Sequence, residues 1–262
     1  MRILCLHGKG TSGTIFKSQT SSFRAHLSDE DIEFDWVDGP YPTGPAPGVD
    51  LFYGPPYFSF CDGNSLEAIR ASCTWLSEYI AKNGPYDAAL MFSQGCWIGS
   101  SAILLHQEET PDLPPPFKAA IFICGGPTLP VLEDLGFHVS AKVLERDDAS
   151  RRALDSQADS SAIQKHGLGR WTGLSSHSPD ASVEELQNEI TCPFRISIPT
   201  VHVYGSKDPR YASGVQLSGI CDPEKRRDFD HGGGHEIPRT DFVSRTIAES
   251  IRWAIAQGSA EK

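Results

Sequence analysis

Three residues of this chain have the types and the order for nucleophilic acyl chemistry: Ser93, Asp208 and His235. A serine hydroxyl attacks a carbonyl poorly at neutral pH unless a base takes its proton and a third group holds that base. Ser93 lies in "LMFSQGC", between an apolar run and a stretch of small residues, where a strand-to-helix elbow would lift a hydroxyl above a sheet. The usual elbow pattern is GxSxG, and Met91 takes the place of its first glycine. Alone, the stretch fits an ordinary turn serine as well as a nucleophile. Asp208 follows in "YGSKDPR" and His235 in "HGGGHEIPR", so serine, acid and histidine come in the order such elbows use. Asp208 also suits a helix cap, with Pro209 at the first helical position. "HGGGH" reads as a linker, a metal clip or a loop carrying one imidazole. Gly232 to Gly234 deny His231 and His235 a shared helical face, and no carboxylate cluster of metalloprotease spacing accompanies them. The loop reading therefore leads, with His235 as the base and no chemical part for His231.

The negative charge that develops on an attacked carbonyl needs fixed donors. The N–H of Gln94 would open the helix behind the elbow, and "LCLHGKG" supplies a second turn after the first apolar run. Lys9 is the expected partner donor and Gly10 the next choice. His7 is assigned a structural part.

These residues need strands to carry them. Arg2 to Leu6, Ala88 to Phe92, the "AAIFIC" run and "IPTVHVYG" read as buried strands, and "IEFDWV" and "RRDFD" as further ones. Between them lie amphipathic patterns: residues 13–27, 65–82 with Ser65 as N-cap, 94–107, and a closing helix through "RTDFVSRTIAESIRWAIAQ". Alternating strands and helices predict an α/β fold with a mostly parallel, doubly wound sheet of about six strands and helices on both faces. Ligand sites of such sheets form at the carboxyl ends of strands, where Lys9, Ser93, Asp208 and His235 all fall. Residues 39–64 are dense in proline and glycine and interleaved with aromatics, which excludes most of them from helix or central strand. A loop packed on the core and the wall of an apolar pocket are both consistent with this stretch. The pocket reading assigns substrate contact to Phe52, Tyr53, Tyr57 and Phe58, and to Trp171 within 129–195, which reads as a cap-like insertion in a single domain spanning 1–262.

Composition narrows the partners. A net charge of −11 disfavours nucleic acid and anionic membrane surfaces, because phosphates want a basic face. The seven cysteines are odd in number and lack CxxC spacing, so neither a disulfide framework nor a zinc site is expected, and a reducing, cytoplasmic setting is. No apolar run is long enough to span a bilayer, and the N-terminal run meets His7 and Gly8 too soon for a signal peptide.

With those motifs in hand, "ILCLHGKGTSGTIFKSQ", "VDGPYP", "GPYDAALMFSQG", "IPTVHVYGSKD" and "HGGGHEIPR" together resemble the FSH family of fungal serine hydrolases, in the α/β-hydrolase superfamily, along nearly the whole chain. The resemblance implies an α/β-hydrolase fold with Ser93, Asp208 and His235 as its triad and no cofactor or metal. Members include carboxylesterases and stand-alone thioesterases that release or edit acyl chains on carrier domains of polyketide synthases. The resemblance thus implies an ester or acyl-carrier thioester as substrate and a carrier domain as partner. Lactone hydrolysis on the same scaffold and a catalytically silent binding protein are the competing expectations.

Overall fold

The computed structural model describes residues 1–157, 165, 167, 171 and 181–260. Its first half runs through β1 (Arg2–Leu6), α1 (Gly13–Gln19), α2 (Ser21–Ala25), β2 (Glu33–Val37), β3 (Tyr41–Pro42), β4 (Phe58–Ser59), α3 (Leu66–Asn83), β5 (Ala88–Phe92) and α4 (Gln94–Glu109). The second half follows with β6 (Ala119–Ile123), α5 (Leu129–Asp134), α6 (Ala141–Gln157), α7 (Val183–Gln187), β7 (Thr200–Tyr204), α8 (Tyr211–Gly219), β8 (Arg226–Asp230) and α9 (Asp241–Ala260).

Six strands form one sheet in the order β2-β1-β5-β6-β7-β8, and every neighbouring pair is parallel. Side chains alternate across the central strands, so each strand feeds two cores. In β5, Ala89 and Met91 pack on one face with α3 and α4, whereas Ala88, Leu90 and Phe92 pack on the other with Phe16 of α1 and the apolar stripe of α9. That double burial explains why β5, β6 and β7 are apolar throughout rather than alternating. The chain leaves β1 toward β2 on one side and returns as β5 on the other. The carboxyl ends of β1 and β5 therefore meet at the topological switch point of the sheet, where a crevice is unavoidable.

Local signals mostly hold. Ser65 Oγ accepts from the Ala68 N–H at 3.2 Å and caps α3 as expected. The amphipathic stretch expected over 13–27 is two helices. Thr20 separates them, its hydroxyl donating to the Phe16 carbonyl at 2.9 Å, a bond that competes with helix continuation. The proline-rich 39–64 segment contains the small antiparallel pair β3–β4, and Phe58 continues this pairing onto the turn after β1. Within 129–195, α5, α6 and α7 belong to the described residues, while most of 158–180 lies outside them.

Candidate active site

Ser93 ends β5 and precedes α4 with φ 51° and ψ −112°, a backbone region that L residues rarely adopt. Its own N–H donates to the Ile123 carbonyl at 3.0 Å, which ties the elbow to β6. Gly95 is required two residues on, because any side chain there would overlap the Leu6 carbonyl oxygen. The methionine in place of the usual glycine is accommodated from the helix side. Met91 is fully buried, and Gly99 of α4 leaves room for its sulfur. The small residue that this elbow needs has moved from strand to helix.

His235 Nε2 lies 2.9 Å from Ser93 Oγ, and His235 Nδ1 lies 2.7 Å from Asp208 Oδ2. The carboxylate can only accept, so Nδ1 carries a proton and Nε2 faces the serine hydroxyl as the acceptor. Asp208 is buried, and its Oδ1 accepts the Arg210 N–H at 2.8 Å. One Asp208 oxygen closes the turn that leads toward α8 and the other meets the imidazole, but α8 starts only at Tyr211 with Arg210 at its N-cap position, so the expectation of Asp208 as helix cap with Pro209 at the first helical position is corrected.

Backbone bonds stitch the histidine loop to the acid turn. The Lys207 N–H donates to the Gly233 carbonyl at 2.9 Å and the His231 N–H to the Tyr204 carbonyl at 2.9 Å. Gly232 supplies a positive φ of 71°, and Gly234 lies so close to Trp171 that a Cβ would overlap its ring. His231, assigned no part from sequence, is a clamp. Its Nδ1 accepts the Gly233 N–H at 3.1 Å, so its protonated Nε2 points at Cys124 Sγ 3.5 Å away. The Cys124 thiol donates in turn to the Glu236 carbonyl at 3.4 Å. Burial pushes that thiol well above its ordinary range and pulls His231 below its own. Cys124, Asp208 and His235 hold ligand-type atoms within 4.8 Å of one another, but the acid and the imidazole spend theirs on each other.

The turn after β1 is equally constrained. His7 is fully buried, accepts the Gly39 N–H on Nε2 at 3.0 Å, and directs Nδ1 to the Gly8 carbonyl at 2.7 Å. Burial lowers its pKa, which keeps it neutral in this bracing role. The Gly10 N–H is taken by the Phe58 carbonyl at 2.9 Å. Among the described residues the Lys9 and Gln94 N–H groups have no hydrogen-bond partner, and both residues line the cavity that Ser93 and His235 face. The Gln94 side chain braces the elbow: its Oε1 accepts the Phe60 N–H at 2.9 Å, and its Nε2 donates to Ser59 Oγ at 3.0 Å.

That cavity measures about 930 Å³. Phe52, Tyr53 and Trp171, assigned to substrate contact from the sequence, line it together with Phe92 and Trp97. Tyr57 and Phe58 do not, which corrects the expectation for them. The Tyr57 hydroxyl donates to the Tyr53 carbonyl at 2.7 Å, and the Phe58 backbone is hydrogen-bonded to Gly10 and Thr11. Phe58 thus holds the turn after β1, whereas Tyr57 ties its own loop to Tyr53 and Thr43. Arg151 and Leu154 of α6 and the buried Arg210 also line the cavity. Sequence reasoning missed them, because α6 is charged and its approach to the strand ends is a tertiary event. Cys124 was legible only as the last residue of "IFIC" before two glycines at a strand's carboxyl end.

The family model described as "Serine hydrolase (FSH1)" matches residues 1–247. The chain belongs to the FSH1 serine hydrolase family. Membership makes the protein a serine hydrolase acting on ester-type substrates, and the reading as a silent binding protein falls with it. Esterase FPY3 of Fusarium mangiferae is 32% identical to this FSH1-family chain, covering 97% of it and 99% of the relative. Esterase alnB of Emericella nidulans is 29% identical, covering 97% and 96% respectively. The fold is that of the α/β-hydrolases. The Bacillus cereus carboxylesterase superposes with a TM-score of 0.52 at 12% identity, covering 96% of this chain and 87% of its own. Esterase PE8 gives 0.51 at 16% identity, covering 96% and 91%. Among the described residues, no helix of this FSH1 hydrolase is long and apolar enough to cross a membrane.

Proposed function

We propose that the protein is a thioesterase of polyketide assembly, releasing or editing acyl chains held on a synthase carrier domain. Ser93 Oγ attacks the acyl carbonyl while His235 Nε2 takes its proton, and Asp208 holds the imidazole and balances the imidazolium that forms. The Lys9 and Gln94 N–H groups hold the oxyanion, with the positive end of α4 behind Gln94. His235 then protonates the leaving thiol or alcohol, and an acyl-Ser93 remains. Water, deprotonated by His235, attacks that ester and restores the serine hydroxyl. The observation that carries the mechanism is the unbroken chain Asp208–His235–Ser93, at 2.7 and 2.9 Å, on the wall of an aromatic-rimmed cavity. Phe52, Tyr53 and Trp171 would hold the acyl group, with 129–195 as a cap over one domain in a reducing cytoplasm.

A second reading is a carboxylesterase of small esters or lactones, and the relatives Esterase FPY3 and Esterase alnB, named as esterases, support its ester part. Mass spectrometry of Ser93 after exposure to candidate acyl thioesters and to short esters separates the two. An acyl-enzyme formed from polyketide-type thioesters supports the first. Acylation by short esters alone removes it. A fluorophosphonate probe that labels Ser93→Ala as well as wild type removes the triad assignment.

A further inference from the structure

Arg210 stands two residues after Asp208, is almost wholly buried, and faces away from the imidazole toward α6. Its Nη2 lies 2.7 Å from Asp147 Oδ1 and donates to Ser213 Oγ at 2.9 Å, while Nη1 donates to Ser150 Oγ at 2.6 Å and to the Asp147 carbonyl at 3.0 Å. Asp147 is shared: its other oxygen takes Arg151 Nε at 2.6 Å. The Arg151 guanidinium stacks on Trp97 at 4.0 Å from the ring centre, and Trp97 sits one turn along α4 from Ser93. A closed path of contacts therefore runs from the acid through Arg210 and α6 to the helix that presents the nucleophile. Arg151, Leu154 and Trp97 on that path also line the cavity.

We infer that Arg210 is a positioning residue through which the seating of α6 against the cavity sets the alignment of Asp208 with His235. The reason is mechanical. The N–H that orients Asp208 Oδ1 and the guanidinium that grips α6 belong to one residue with little freedom, since both its ends are buried and bonded. A shift of α6 must then pull on the turn that orients the carboxylate, and small misplacements of a catalytic group cost large rate factors. The inference rests on the triad reading above.

The test compares wild type, Ser93→Ala, Arg210→Met, Arg210→Lys and Asp147→Asn on one short ester, with kcat and KM measured on folded protein. The expected result is a roughly tenfold or larger fall in kcat for Arg210→Met and Asp147→Asn, with KM for the short ester changed much less. Arg210→Lys does not restore kcat, because an ammonium cannot span Asp147, Ser150 and Ser213 together. Should the Arg210 variants fail to fold, Arg151→Leu cuts the same path where it is half-exposed and is expected to lower kcat severalfold. Wild-type kcat in the folded variants, with Ser93→Ala inactive, overturns the inference and leaves the triad standing. An active Ser93→Ala overturns the triad reading itself.

Discussion

Gly234 lies against the indole of Trp171, with no room for even a methyl group between the residue before His235 and the ring on the cavity wall. The glycine thus lets the imidazole loop and an aromatic wall of the cavity occupy adjacent space. Gly234→Ala must displace either the indole or the loop. The expected outcome is a fall in kcat of about a hundredfold, the scale of a catalytic group moved by roughly 1 Å. Gly232→Ala, at a position with open space but φ 71°, should instead cost stability of about 1 kcal/mol and less activity. Steady-state kinetics and urea unfolding of the two variants distinguish crowding from backbone strain.

Asp208→Asn keeps the shape of the acid but replaces one oxygen with a donor. Facing His235, that amide favours the tautomer with Nε2 protonated, which cannot accept from Ser93. A loss of about 10⁴-fold in kcat is expected, as for the equivalent change in the chymotrypsin triad. The Arg210 N–H keeps an acceptor, so the fold should survive, and a near-wild-type rate would remove Asp208 from the triad.

Gln94 serves the site twice, and the two parts separate by mutation. Gln94→Ala retains the backbone N–H but strips the Phe60 N–H of its partner and takes one bond from Ser59 Oγ, which keeps Cys61. An unsatisfied buried donor costs about 1–3 kcal/mol, so the urea midpoint should fall by that equivalent. Activity should fall far less than in Ser93→Ala. Equal stability of the variant and wild type would show that the brace is dispensable.

Two buried histidines and one partly buried histidine make stability depend on pH. Burial lowers His7 and His231 below the ordinary 6.5 and pushes His202, stacked on Phe122, down to about 4. Each is neutral in the fold and takes a proton more readily when unfolded. Their contribution is therefore whole above pH 6.5 and is lost as pH falls from there toward 4. For His202 the loss is on the order of 3 kcal/mol. Urea unfolding of wild type and His202→Asn between pH 7.5 and 4.5 tests this: the wild-type curve should fall more steeply, and parallel curves would contradict it.

The sequence by itself determined the strand order in time and the chemistry at four strand ends. Apolar runs such as "AALMF" and "AAIFI" can only be strands buried on both faces, and a turn follows each. Ser93, Asp208 and His235 are legible because an elbow, an acid turn and a glycine-rich loop each have local backbone requirements that residue types reveal. What depends on long-range packing was not legible. Tyr57 and Phe58 look like pocket aromatics, yet Phe58 pairs with Thr11 and the Tyr57 hydroxyl is spent on the Tyr53 carbonyl. Met91 breaks the elbow pattern until Gly99, eight residues on, is seen opposite its sulfur. His231 gains its part from Cys124, 107 residues away, and Arg210 from Asp147, 63 residues away. Local sequence constrains local dihedral angles and burial. Which charged helix comes to rest on which strand end is decided only when the whole sheet closes and its remaining polar groups must find partners.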